Sequence, residues 1–229
     1  MKALLALEDG RTFPCLSFTG PGEATGEVVF NTGMTGYQEV LTDPSYRGQM
    51  VVMTYPLVGN YGTNPEDIES ERIQVSAFII KEYQPNPSNF RSTRTLADYL
   101  KSQGVLGIEQ LDTRALTRHI RNSGAMRAVV STEKLDPEAL VERANQIPTM
   151  AGQDLTRHVT TPAPYYWHEG RSEALQKDTF LDEKVWRNRG SKRTVVAFDF
   201  GIKYNILRCL EKEGFEVCLL YTSQRPRDF

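Results

Sequence analysis

The sequence predicts a mixed α/β protein built in two unequal parts. Short apolar, β-branched runs alternate with amphipathic helical runs as far as about Gln146. The periodic signal fades from about Gln153 to Lys192, and it resumes as one strand–helix–strand unit from Thr194 to Tyr221.

In chain order, Ala3 to Leu7 and Gly26 to Thr32 read as strands, and Gln49 to Tyr55 is a third, stopped by Pro56. Gly33, Gly36, Asp43-Pro44-Ser45 and Gly48 punctuate the loop before that third strand, and Tyr37 to Leu41 has the length of a helical turn. Ile73 to Tyr83 predicts a fourth strand, with Val75, Ala77 and Ile79 on one face and Phe78 and Ile80 on the other. Thr95 to Gln103 sets Leu96, Tyr99 and Leu100 at helical spacing ahead of Gly104. Asp112 or Thr113 can cap a helix that ends at Gly124. Its Leu116 and Ile120 face the core, and its arginines 114, 118 and 121 read as a solvated face. Met126 to Ser131 is a strand, and Asp136-Pro137-Glu138 opens a helix to about Gln146.

The stretch 154–192 reads as an extended connector that lays Tyr165-Tyr166-Trp167 onto a neighbouring surface. Thr194 to Phe200 is nearly continuous in apolar residues, the pattern of a strand covered on both faces. Lys203 to Glu213 is a helix and Phe215 to Tyr221 a strand. The expected domains are therefore 1–153, a connector 154–192, and an incomplete doubly wound unit 193–229. Val195, Val196, Phe198, Val217, Leu219 and Leu220 would then be left exposed on that unit.

Composition narrows the function. Twenty-seven Lys plus Arg against 29 Asp plus Glu leave a net charge of −2, so no global field points to nucleic acid or an anionic membrane. The short apolar start is interrupted at Glu8-Asp9, and no run approaches a spanning helix, which predicts a cytoplasmic protein. Three cysteines at wide spacing, Cys15, Cys209 and Cys218, suit reduced thiols and read as small buried hydrophobes. His119, His158 and His168 form no ligand pair, so no metal site is expected. Neither a phosphate loop nor a Gly-x-Gly-x-x-Gly turn appears, and no cofactor is expected in the chain.

The chemically informative region runs from Asn31 to Tyr46 and from Thr54 to Gly62. Its Gly, Thr, Asn and Ser residues would gather many backbone and hydroxyl groups at one sheet end, which suits a small polar ligand. Pattern alone favours plain turn chemistry there, with Asp43 and Ser45 bonding local backbone.

Longer motifs carry a resemblance. Phe30 to Glu39 (Phe-Asn-Thr-Gly-Met-Thr-Gly-Tyr-Gln-Glu), Leu41 to Tyr46 (Leu-Thr-Asp-Pro-Ser-Tyr) and Tyr55 to Gly62 (Tyr-Pro-Leu-Val-Gly-Asn-Tyr-Gly) resemble the small subunit of carbamoyl-phosphate synthase. So do Ser88-Asn89-Phe90-Arg91, Leu111 to Arg118 (Leu-Asp-Thr-Arg-Ala-Leu-Thr-Arg) and Val196 to Arg208, the resemblance covering roughly residues 1–217.

The resemblance implies a glutamine-hydrolysing subunit that passes ammonia to a large subunit, its partner in a heterodimer. That large subunit would use bicarbonate, ATP and magnesium to make carbamoyl phosphate for arginine and pyrimidine biosynthesis. It implies a family-specific first domain that packs on the large subunit, then a flavodoxin-like class I glutamine amidotransferase domain beginning near Thr194. It gives Ser45 a place in the glutamine site. The family's Gly-x-Cys-x-Gly elbow and its later His and Glu have no match here, so no catalytic residue is assigned and the chain alone is expected to be inactive. The departure from the family pattern after Cys218 reads as a carboxyl-terminal truncation. Two alternatives stand beside this reading: a non-catalytic module that binds a large subunit, and an unrelated flavodoxin-like nucleotide binder using Asp199-Phe200-Gly201.

Overall fold

The computed structural model of the 229-residue chain describes residues 1–174 and 193–221. The chain divides into two units, Met1–Gln153 and Asp154–Phe229.

The first unit is a closed seven-stranded barrel in the order β1-β2-β8-β6-β4-β3-β9. Its strands are β1 (Lys2–Leu7), β2 (Thr12–Ser17), β3 (Glu23–Asn31), β4 (Gln49–Met53), β6 (Ala77–Ile79), β8 (Leu106–Glu109) and β9 (Met126–Ser131). β3, β4, β6 and β8 run parallel to their neighbours in that series, whereas β1, β2 and β9 close the barrel with antiparallel pairs. Four helices belong to this unit: α1 (Tyr37–Thr42), α2 (Leu96–Ser102), α3 (Thr113–Ser123) and α4 (Pro137–Gln146). A small pair, β5 (Leu57–Val58) with β7 (Glu82–Tyr83), lies outside the barrel.

The two-residue period of a strand decides what each side chain meets. Leu5 and Leu7 join Val28, Met50, Val52, Ile79, Ile108 and Val130 in one core, which Leu116 and Ile120 of α3 also enter. Leu4, Ala6 and Val129 face the other way and bury Leu140 and Ala144 of α4. Val51, Met53, Phe78 and Ile80 form a third cluster with Tyr37 and Leu41 of α1 and Leu96 and Leu100 of α2. Asp112 caps α3, its carboxylate accepting from the Ala115 N–H at 2.9 Å, and Asp136 caps α4.

Several expectations need correction. β2 and β8 are absent from the sequence reading. The predicted strand 73–83 is ladder-paired in the barrel only at Ala77–Ile79, and Val75 packs with Phe78 and Ile80 instead of with Ala77 and Ile79. Ile73 to Ser76 lie outside the ladder, with a bend at Ser76, so the alternation restarts at Ala77.

The second unit holds a four-stranded sheet in the order β11-β10-β13-β12. β12 (Thr194–Phe198), α6 (Tyr204–Lys212) and β13 (Glu216–Leu220) form the expected unit, with the two strands parallel. The stretch read as a connector contributes structure instead. It holds the short helix α5 (Thr156–Val159) and the hairpin β10 (Tyr165–His168) and β11 (Arg171–Ala174), and β10 pairs antiparallel with β13. The hairpin turn is fastened to α6, because the Glu211 carboxylate accepts from the N–H groups of Glu169 and Gly170. Flanked by β10 and β12, β13 becomes interior, so Val217 and Leu219 are buried and not exposed as expected. β12 departs from its reading in the opposite sense: it is not covered on both faces, and Val196 and Phe198 lie exposed. The remaining connector residues 175–192 and the end 222–229 lie outside the described residues.

Candidate functional site

Ser45 sits in a single 3-10 turn, Pro44–Tyr46, between α1 and β4. The turn forms because the Asp43 carboxylate accepts from the Ser45 N–H at 2.9 Å while Pro44 presets φ at its first position. The local turn chemistry expected from pattern is therefore present. It leaves the Ser45 side chain exposed while Asp43 and Pro44 are buried beneath it.

The two loop stretches singled out in the sequence, on either side of this turn in the chain, are joined to one another. The Tyr61 hydroxyl accepts from the N–H groups of Gly36 (2.7 Å) and Tyr37 (3.0 Å), where α1 starts. Gly36 occupies φ 83, a conformation that suits glycine, and it provides no side-chain cap, so Tyr61 supplies one from 25 residues away. In return the Tyr37 hydroxyl donates to the Gly62 carbonyl at 2.6 Å, and the two rings stack with centroids 4.1 Å apart. Burial pushes the Tyr61 phenol up to about 12 and raises Tyr37 further, so both are neutral donors and acceptors.

Gln38 makes a second reciprocal link: its amide donates to the Asn64 carbonyl and accepts from the Asn64 N–H at 2.9 Å. Asn31 ties the remaining pieces. Its amide donates to the Tyr46 hydroxyl at 3.0 Å, its side-chain oxygen accepts from the Gly33 N–H, and its carbonyl accepts from the Thr54 N–H. The Ser88-Asn89-Phe90-Arg91 motif joins as well, through the Ser88 N–H to the Asn60 carbonyl and the Arg91 guanidinium to Glu66 and Asp67. The linking residues Tyr61, Gln38 and Asn31 escaped the sequence reading as functional groups. Only their density within motif-like loops pointed to them.

The arginine-bearing motif ends up nearby in chain connectivity rather than in the same network. Arg114, Arg118 and Arg121 of α3 line a cleft of about 530 Å³ with Thr54, Thr113 and Thr117. Thr54 is the residue whose N–H reaches Asn31.

Two of the three cysteines are buried. Burial pushes the Cys15 thiol up to about 12, and Cys218 is buried in β13. Cys209 corrects an expectation, since it is exposed: it lies on α6 two positions beyond Leu207, which faces inward. Asp199 closes β12 with an Asx-type turn, accepting from the N–H groups of Gly201 and Ile202 and from the Tyr165 hydroxyl. Those bonds consume both of its oxygens structurally. Among the described residues, no three His, Cys, Asp or Glu side chains group as metal ligands, and no helix is long and apolar enough to cross a membrane.

Against known proteins, residues 5–130 match the family described as carbamoyl-phosphate synthase small chain, CPSase domain. The chain is 55% identical over 228 residues to the carbamoyl phosphate synthase small chain of Nitratidesulfovibrio vulgaris, an alignment that covers 100% of this chain and 60% of that protein. It is 53% identical over 229 residues to that of Syntrophotalea carbinolica, covering 100% and 59%, and 46% identical over 218 residues to that of Aquifex aeolicus, covering 95% and 57%. The chain thus spans about 60% of the length of the curated relatives it matches.

Proposed function

Because this chain belongs to the carbamoyl-phosphate synthase small-chain family, we propose that it contributes the first domain and the opening of the glutaminase domain to a subunit that releases ammonia from glutamine. A large subunit would receive that ammonia and, with ATP, magnesium and bicarbonate, form carbamoyl phosphate for arginine and pyrimidine synthesis in the cytoplasm. The β12–α6–β13 unit supports the second part of this reading, since a parallel strand–helix–strand step is how a flavodoxin-like sheet begins.

The observation that carries the reading is Ser45. It pairs an exposed side chain with a turn fixed by Asp43 and Pro44, set between the two loop stretches that carry the family motifs. A rigid hydroxyl of this kind suits the polar end of a glutamine molecule and orients it for a nucleophile supplied elsewhere. Nothing in these 229 residues supplies the Gly-x-Cys-x-Gly elbow, so the chain by itself binds but does not hydrolyse.

The test is a chimera in which this chain replaces the matching part of the Nitratidesulfovibrio vulgaris small chain, assembled with that organism's large chain. Ser45→Ala is expected to raise the KM for glutamine roughly tenfold, the loss of about one good hydrogen bond, and to leave synthesis from free ammonia unchanged. An unaltered glutamine KM would overturn the assignment of Ser45. The 229-residue chain alone should release no ammonia from glutamine.

A second reading, a non-catalytic module that binds a large subunit, draws on the barrel itself. The barrel is closed, with no sheet edge left to pair. Stable co-purification of the 229-residue chain with a large chain, without any gain in glutamine-dependent activity, would favour this module.

A further inference from the structure

Ser45 is only as well placed as the short turn that carries it. Three bonds give that turn its shape. The Asp43 carboxylate accepts from the Ser45 N–H at 2.9 Å, the Asp43 carbonyl accepts from the Tyr46 N–H at 3.1 Å, and the Pro44 carbonyl accepts from the Arg47 N–H at 3.1 Å. All of them close within residues 43–47, so they set the form of the turn and not its place on the barrel.

The Tyr46 side chain does reach the barrel. Its ring packs against the cluster that holds Val51, Met53 and Phe78, and its hydroxyl accepts from the Asn31 side-chain amide at 3.0 Å. Asn31 is the last residue of β3. Its backbone is fixed by the ladder opposite Met53 and by the Thr54 N–H, which donates to its carbonyl at 3.0 Å. Its side chain is fixed as well, because the Asn31 Oδ1 accepts from the Gly33 N–H at 2.7 Å and so turns the NH₂ end toward Tyr46. One bond across 15 residues thus ties the turn to the end of a barrel strand, with Ser45 next to the tie.

We propose that Asn31 and Tyr46 are positioning residues for Ser45, holding its hydroxyl where it meets glutamine; this rests on the reading of Ser45 as a glutamine contact. Packing of the Tyr46 ring is non-directional, whereas a hydrogen bond from an amide fixed at three points sets both distance and angle. A hydroxyl that must meet a ligand within a few tenths of an ångström needs the second kind of restraint.

Two measurements test this. The first is the glutamine KM of the chimera with the Nitratidesulfovibrio vulgaris small and large chains, in which synthesis from free ammonia reports assembly of each variant. Tyr46→Phe keeps the ring and removes the acceptor, and should raise the KM about threefold to fivefold with little change in kcat. Asn31→Leu should do the same. Asn31→Asp should stay within about twofold of the parent, since a carboxylate still accepts from the Gly33 N–H and also accepts from the Tyr46 O–H turned round to donate. Tyr46→Phe should add nothing once Ser45→Ala is present. Tyr99→Phe, which removes a phenol hydroxyl from another ring packed on the same cluster, is the control and should leave the KM within about twofold.

The second measurement needs no glutamine. Amide hydrogen exchange over residues 44–48 of the 229-residue chain should quicken about fivefold in Tyr46→Phe and in Asn31→Leu. Unchanged exchange would overturn the anchor. A parental KM in Tyr46→Phe, beside a raised KM in Ser45→Ala, would overturn the positioning role and leave the Ser45 reading standing. An equal rise on top of Ser45→Ala, or an equal rise in Tyr99→Phe, would also overturn it, the first by showing another route to glutamine and the second a general loosening of the core. An unaltered KM in Ser45→Ala would overturn the glutamine reading and the positioning role with it, while the exchange data show separately whether the tie holds the turn.

Discussion

The Tyr61 hydroxyl serves two consecutive backbone N–H groups, those of Gly36 and Tyr37, which open α1 and have no intrahelical acceptor of their own. The phenol stays neutral because burial pushes it up to about 12, so it accepts from both while keeping its own proton. Tyr61→Phe preserves the stacked ring over Tyr37 and removes only the oxygen. Two partly buried donors would then be left without a partner, and the expected loss is about 1–3 kcal/mol of unfolding free energy by urea denaturation. The same substitution should disturb the Ser45 turn less than the start of α1, since Asp43 holds that turn independently. A chain in which Tyr61→Phe melts like the parent would mean that water replaces the hydroxyl without cost.

At the scale of elements, Arg127 of β9 joins pieces that are distant in the chain. Its guanidinium pairs with the Glu8 carboxylate just past β1 and donates to the Asn145 and Ile147 carbonyls at the end of α4. Burial by itself would raise the Glu8 carboxyl, but the hydrogen bonds and charge of Arg127 outweigh it and hold Glu8 below its ordinary 4.5. A carboxyl depressed on folding stabilises the native state fully above its unfolded value and loses that contribution as pH falls through the lower, folded value. Glu8→Gln should therefore cost about 1–2 kcal/mol near pH 7, and the gap between variant and parent should close as unfolding is measured from pH 5 down toward pH 3. A gap that stayed constant would place the stabilisation in packing rather than in the ion pair.

Legibility also varies by element, for physical reasons. α3 and α4 were readable because Asp112 and Asp136 cap them and their apolar residues repeat at helical spacing. β2 was not, because Pro14 stands inside it, opposite Leu4, where a strand pattern would not put a residue lacking an N–H. β8 is four residues long, and its Gly107 backbone donates to Thr19 beneath the Phe18 ring, a fit that local sequence does not express. The hairpin at Tyr165–Trp167 was read as aromatics on a surface because three bulky residues in succession hide the two-residue alternation; its pairing with β13 is a contact across about fifty residues. The candidate site was legible as loops and not as a network. The bonds that join Gly36 to Tyr61 and Gln38 to Asn64 span 25 and 26 residues and follow no short spacing.

Across the whole molecule the two units solve the sheet-edge problem differently. The barrel has no unpaired strand, whereas β12 is paired only with β13 among the described residues. β12 and the turn after it also expose Val196, Phe198 and Phe200 at 51%, 61% and 56%, with Ile206 of α6 at 49%. An apolar strand with a free edge is a template for a second strand, and apolar exposure on this scale favours association. The 229-residue chain should therefore self-associate as its concentration rises, through the second unit and not through the barrel. Val196→Thr with Phe198→Ser removes the apolar contribution while keeping strand-compatible residues, and should shift static light scattering toward the monomer mass of 25.9 kDa. Phe90, almost fully exposed in the first unit, is the natural control, because it tops a loop rather than a strand and offers no ladder to extend. If Phe90→Ser lowered the scattering as much as the β12 double variant did, general surface hydrophobicity would be the cause and the open strand edge would not.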